Sequence, residues 1–207
     1  GSAVEHATDE LHSFMQSQWP CADAQVTGHT LTVVYGAHGS CPFNSYQSIT
    51  GTQEITISKN DNADVEVDHV WTNLSNGVVE VSGTAHVTWN LADPSRHVQH
   101  DLTWTRLSDN RKGEGTGDRV QKPLDGDLSK GFTEEGHRSW IGKSGEWDLA
   151  IAGLQMRWED PVPEAGDLTL DTPFDKTVEL SFVRVNDKTI HVTLTGPRAS
   201  FGYDVTK

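Results

Sequence analysis

The sequence predicts an antiparallel all-β fold, either a β-sandwich or an open, strongly curved sheet or half-barrel, with one short N-terminal α-helix. Three observations carry this. From about residue 29 to the C-terminus, segment after segment alternates apolar and polar residues, the period-two pattern of a strand with one buried and one wet face. Helical spacing of apolar residues is confined to residues 3–18. Turn formers such as Asn76-Gly77 and Asp93-Pro94 separate the alternating segments.

Gly1-Ser2 reads as an expression-vector remnant and is set aside, with a leader expected to have been removed ahead of Ala3. Residues 3–20 hold the helix. Val4, Ala7, Leu11, Phe14 and Met15 form one apolar stripe, and Pro20 stops it. Residues 21–207 are read as one antiparallel β-domain. Leu31, Val33 and Tyr35 make a short strand, followed by a polar loop through Asn44. Ile49, Ile55 and Ile57 mark the next strand, and Asn60-Asp61-Asn62 a turn. Val65 and Val67 begin another strand that ends near Trp71.

The alternation is clearest after Asn76-Gly77. Val79, Val81, Ala85, Val87 and Trp89 share one parity, while Glu80, Ser82, Thr84, His86 and Thr88 share the other. A hairpin around Asp93-Pro94 is expected to set Trp89 against Val98, Ala85 against Leu102 and Gly83 against Trp104, with His86 facing Asp101. Trp104 would then cover the gap left by Gly83.

Residues 108–137 carry Gly113, Gly115, Gly117, Gly126, Gly131 and Gly136 among many charges. They read as a long connection and the best sub-domain boundary. Trp147, Leu149 and Ile151 resume the alternation. Its parity changes at Gly153 to Leu154, Met156 and Trp158, the mark of a β-bulge. Val178, Leu180 and Phe182 are expected to pair with Leu194, Val192 and Ile190 across a turn at 185–187, before a last strand with Phe201, Tyr203 and Val205. Thr84–Thr88 and Thr189–Thr193 share a Thr-x-His-Val-Thr pattern, a faint internal echo.

Thirty acidic against sixteen basic residues give a formal net charge of −14. That balance opposes nonspecific binding to nucleic acid or anionic lipid, and no apolar run approaches the length of a membrane-spanning helix. The two cysteines, Cys21 and Cys41, are expected to form one disulfide in an oxidising compartment. Such a bridge contributes about 3 kcal/mol by restricting the unfolded chain.

Motifs for chemistry are sparse. Gly136 to Ser144 imitates a phosphate-binding loop, but five residues separate its glycines where four are required, and a strand follows it. Gly145-Glu146-Trp147 is similar to the Gly-x-Trp signature of lipocalins, apolar-ligand barrels. That resemblance covers three residues and, unlike the family's, lies late in the chain, so no site is carried over from it. His86 with Asp101 is the nearest approach to a metal or general-base pair, and it lacks a third ligand or a nucleophile. No metal or cofactor is expected. Trp71 and Trp140, near strand ends, are the candidates for an exposed indole that stacks on a sugar or anchors a partner.

These readings point to a noncatalytic protein, secreted, periplasmic or on the cell surface, with lipid anchoring through a removed N-terminus as one route, that binds a protein, glycan or lipid partner. The alternatives are a carrier of a lipid or other apolar ligand inside a curved sheet or barrel, lined by positions such as Val79, Val81, Val178 and Leu180, and a hydrolase with an unrecognised site.

Overall fold

The structure is a computed structural model that describes residues 2–44 and 47–207. It is an antiparallel sheet with one short N-terminal helix, so the antiparallel all-β expectation holds. The helix is α1 (Ala3–Gln18). The strands are β1 (Asp23–Thr27), β2 (Thr30–Tyr35), β3 (Cys41–Asn44), β4 (Gln47–Lys59), β5 (Val65–Ser75), β6 (Val79–Asn90), β7 (Ser95–Arg106), β8 (Arg111–Pro123), β9 (Gly131–Gly142), β10 (Gly145–Arg157), β11 (Ala165–Thr172), β12 (Lys176–Asn186), β13 (Thr189–Thr195) and β14 (Ser200–Thr206). Two compact units divide the chain: the first is Gly1–Trp89 with His100–Glu114, the second Asn90–Gln99 with Gly115–Lys207.

In the first unit the strand order is β1-β2-β4-β5-β6, then the later part of β7, with β3 beside β4. Helix α1 packs on β1, β2 and β4. It starts at Ser2, whose hydroxyl accepts from Glu5 N (3.2 Å) while Ser2 N donates to the Glu5 carboxylate (2.5 Å), a capping box. Ser2 therefore belongs to the fold although the sequence reading set it aside; Gly1 lies outside the described residues. The stripe holds except at Phe14, which is 57% exposed. Thr8 occupies the buried centre instead, its hydroxyl donating to Val4 O (2.9 Å). A hydroxyl satisfied within its own helix can be buried at little cost.

Met15 packs with Leu31, Val33, Tyr35, Ala22 and Ala24 into a core that includes Cys41. Cys41 is disulfide-bonded to Cys21, with Cα atoms 5.2 Å apart. The expected polar loop before Asn44 ends in β3, which this bridge holds down.

The β6–β7 register is displaced by two residues from the sequence expectation. Leu107 N donates to Val78 O (2.9 Å), Thr103 Oγ1 to Ser82 O (3.3 Å), and Gly83 lies against Leu102, not Trp104. On its other side Gly83 faces Trp71. A two-residue slip keeps every side chain on its face, so alternation cannot detect it. The turn decides. Asn90 Oδ1 accepts from Ala92 N (2.9 Å) and Asp93 N (3.0 Å), so the turn closes early and β7 already begins at Ser95.

A half-buried polar line crosses this unit. Tyr35 OH donates to Gln53 Oε1 (3.1 Å), and Gln53 Nε2 lies 3.3 Å from His69 Nδ1. Burial pushes the His69 pKa down, against a smaller opposing pull from Asp68. An imidazole harder to protonate folded than unfolded contributes stability that is fully present above the unfolded pKa of about 6.5 and lost as pH falls below it. Urea denaturation at pH 7.5 and 5.5 is expected to show a smaller acid loss for His69→Gln than for the wild type. Equal losses would exclude His69 as the source.

In the second unit the order is the first part of β7, then β8-β9-β10-β11-β12-β13-β14. Its core is Phe182, Ile190 and Val192 with Leu154, Leu168, Leu180 and Val205. The bulge at Gly153 is present: pairing shifts between Ile151 and Leu154 against β9, and Gly153 has φ +56°. The β12–β13 hairpin is again two residues from expectation, with Leu180 opposite Leu194 and Phe182 opposite Val192. Residues 108–137 are not a long connection. They form most of β8 and β9, joined by a short 3-10 turn at Leu124–Gly126. Strands β1 and β11 were not anticipated, since each offers only two alternating apolar residues, Ala24 and Val26 in one and Leu168 and Leu170 in the other.

Candidate ligand-binding face

On β9, Glu134, Gly136, Arg138 and Trp140 share one parity and hence one face of the second unit. Strand β10 sets Trp147 directly opposite Trp140. Their indoles stack, with centroids 6.3 Å apart and planes 2° from parallel. Phe174 meets Trp147 edge-on at 6.1 Å. One face of Trp140 is thus occupied by Trp147. On β8 the neighbour of Trp140 is Gly115: a Cβ placed there would lie 3.6 Å from Trp140 Cβ. A flat indole beside a position without a side chain makes a slot that a planar or chair-shaped ring can enter.

The next rows of the same face are charged. Arg119 on β8 lies against Gly136, which leaves room for its side chain. Glu134 is 7% exposed in its side chain and carries two guanidiniums, Arg119 (3.5 Å) and Arg138 (3.7 Å). The Gln121 amide donates to Glu134 Oε2, and Arg96 Nε donates to Gln121 Oε1 (3.1 Å). Arg119 Nε and Arg138 Nε are buried without an acceptor. Burial, and then the charge of Arg119, push both Arg96 and Arg138 below the ordinary arginine value, with Glu134 opposing. The one carboxylate is shared between Arg119 and Arg138.

A second cluster lies at the other end of β10. Arg184 Nε donates to Glu164 (2.6 Å) and its terminal nitrogen to Asp160. Arg157 Nε also reaches Glu164 (2.9 Å), and Lys207 Nζ lies 2.9 Å from Asp160. Here each buried carboxylate has its cations, and the group pins the 160–164 segment to the sheet.

The sequence candidates are dispersed. His86 does not pair with Asp101. Its Nδ1 lies 2.6 Å from Asp68 Oδ1, directly opposite on β5, and its Nε2 lies 3.9 Å from Glu66. The echo segment repeats the arrangement, with His191 Nδ1 2.6 Å from Asp204 on the facing strand. Among the described residues no three His, Cys, Asp or Glu side chains gather as metal ligands. Trp71 is half-buried and stacks on His69, centroids 5.6 Å apart. Trp140 is also half-buried. Among the described residues the exposed tryptophans are Trp89, at 36%, and Trp158, at 60%; Trp158 packs on Phe132 and donates from Nε1 to Leu128 O (2.7 Å). Sequence reasoning missed Arg96, Arg119, Glu134 and Arg138. The shared parity of Glu134, Arg138 and Trp140 was the available signal.

No known protein family, curated protein or solved structure matches this chain.

Proposed function

We propose that the protein is a noncatalytic binding module, acting outside the cytoplasm, that holds a sugar ring against Trp140. The observation that carries this reading is the half-buried Trp140 beside Gly115, stacked on Trp147, which Phe174 in turn meets edge-on. A stacked pair of aromatic rings is worth about 0.5–1.5 kcal/mol beyond the buried area, which helps hold Trp140 and Trp147 in place. The Cys21–Cys41 bridge supports an oxidising compartment.

The test is titration calorimetry of the wild type and Trp140→Ala against a panel of neutral and acidic oligosaccharides. At least one member should bind the wild type, and the variant should lose about tenfold or more in affinity. Binding unchanged in the variant, or none across the panel, overturns the reading.

A second reading, a carrier for an apolar ligand, is favoured by one observation. Leu168 faces Leu180 and Leu170 faces Val178 on one side of β11 and β12, and all four are half-buried. A retained lipid mass in native mass spectrometry would favour this reading over the first.

A further inference from the structure

We infer that the ring held by Trp140 belongs to an acidic glycan, whose carboxylate or sulfate oxygens are taken by Arg138 and Arg119. This deepens the sugar-binding reading and rests on it. Arg138 is two residues from Trp140 on one strand face, so the two side chains leave the sheet about 7 Å apart, the distance from the middle of one sugar ring to a substituent on it or its neighbour. The Arg138 side chain is 43% exposed and reachable from solvent, whereas Glu134 beneath it is 7% exposed. Arg119 and Arg138 share that one carboxylate at 3.5 and 3.7 Å, longer than a charge-assisted hydrogen bond, and each keeps a buried Nε without an acceptor. Guanidiniums present a planar fork that matches a carboxylate or sulfate. In a chain of net charge −14 this row is a local exception, and its neighbour is an aromatic slot, the pairing suited to a charged sugar. A neutral glycan would use the slot and leave the arginines idle.

The probes are two matched pairs: oligogalacturonate with its methyl ester for a carboxylate, and dextran sulfate with dextran for a sulfate. Affinities are measured at about 0.15 M salt, where long-range charge is screened. In at least one pair the charged member should bind the wild type about tenfold more tightly than its neutral twin. In Arg138→Gln that ratio should fall to about threefold or less, and Arg138→Lys should retain an intermediate ratio, since it keeps the charge without the fork. Circular dichroism melts of both variants guard against misfolding, and Arg119→Gln provides an independent second test of the ratio. Equal affinities within both pairs, or a ratio that survives in both glutamine variants, overturn the inference while leaving the Trp140 reading intact. Failure of charged and neutral members alike removes the sugar-binding reading and this inference together.

Discussion

Replacing Arg184 by Met is expected to destabilise the second unit by about 4 kcal/mol, in the range for breaking a buried ion pair by removing one partner. Asp160 and Glu164 are 1% and 7% exposed in their side chains, and Arg184 serves both. Burial opposes the charge on Arg184, yet the hydrogen bonds and charges of Glu164 and Asp160 outweigh it and raise the arginine above its ordinary value. Met keeps the unbranched stem and removes the fork, so the loss reports charge rather than packing. Two carboxylates would then remain near the core, with Arg157 on Glu164 and Lys207 on Asp160 as their surviving cations. The 160–164 segment would be the first to loosen, because Val162 reaches the Phe182 core from it and Glu164 N donates to Gln155 O (2.8 Å).

Guanidinium denaturation at pH 7 measures the effect. A loss below about 1 kcal/mol would mean that the cluster behaves as a solvated surface group. Adding Asp160→Asn and Glu164→Gln to Arg184→Met should recover part of the loss, since members of one network do not add independently.

The fold class was legible because alternation reports faces directly. Registers were not, and the two errors have one form. Gly83 was paired with Trp104 and proved to face Leu102; Leu180 was paired with Val192 and proved to face Leu194. Both are two-residue slips, which leave the apolar and polar faces intact and change only the turn. The misreading of residues 108–137 has a different cause. In β8 the period of two is present, but glycines 113, 115 and 117 hold one parity and Glu114, Thr116 and Asp118 the other. Hydrophobicity cannot reveal an alternation of glycine with polar residues.

That error hid the charged part of the candidate face, since Arg119 and Glu134 lay in the supposed connection. Trp140 was singled out, but its slot depends on Gly115, a neighbour twenty-five residues away that only the β8–β9 register supplies. His86 shows the same limit. A strand has two neighbours; the reading used β7, and the carboxylate came from β5.

Gly136→Ala is expected to cost the second unit about 3 kcal/mol or more, because the position combines a backbone angle foreign to L-residues with a close strand contact. Gly136 has φ +135°, and a Cβ there would stand 2.2 Å from Asp118 O and 2.8 Å from Arg119 Cα. The obstacle is backbone on the facing strand, so no rotamer change relieves it. Gly28→Ala is the control: its φ is +61° but nothing lies within 4 Å of the added methyl, and the cost there should be about 1 kcal/mol. The difference between the two isolates the contact from the angle. Hydrogen exchange should place the Gly136→Ala loss in β8 and β9. Separating those strands would also move Arg119 away from Glu134, so the variant should lose its preference for a charged over a neutral glycan before it unfolds. If Gly136→Ala is no more destabilising than Gly28→Ala, the strands at Gly136 do not approach as closely as described, and the spacing of Arg119, Glu134 and Arg138 on which the acidic-glycan inference depends must be revised with them.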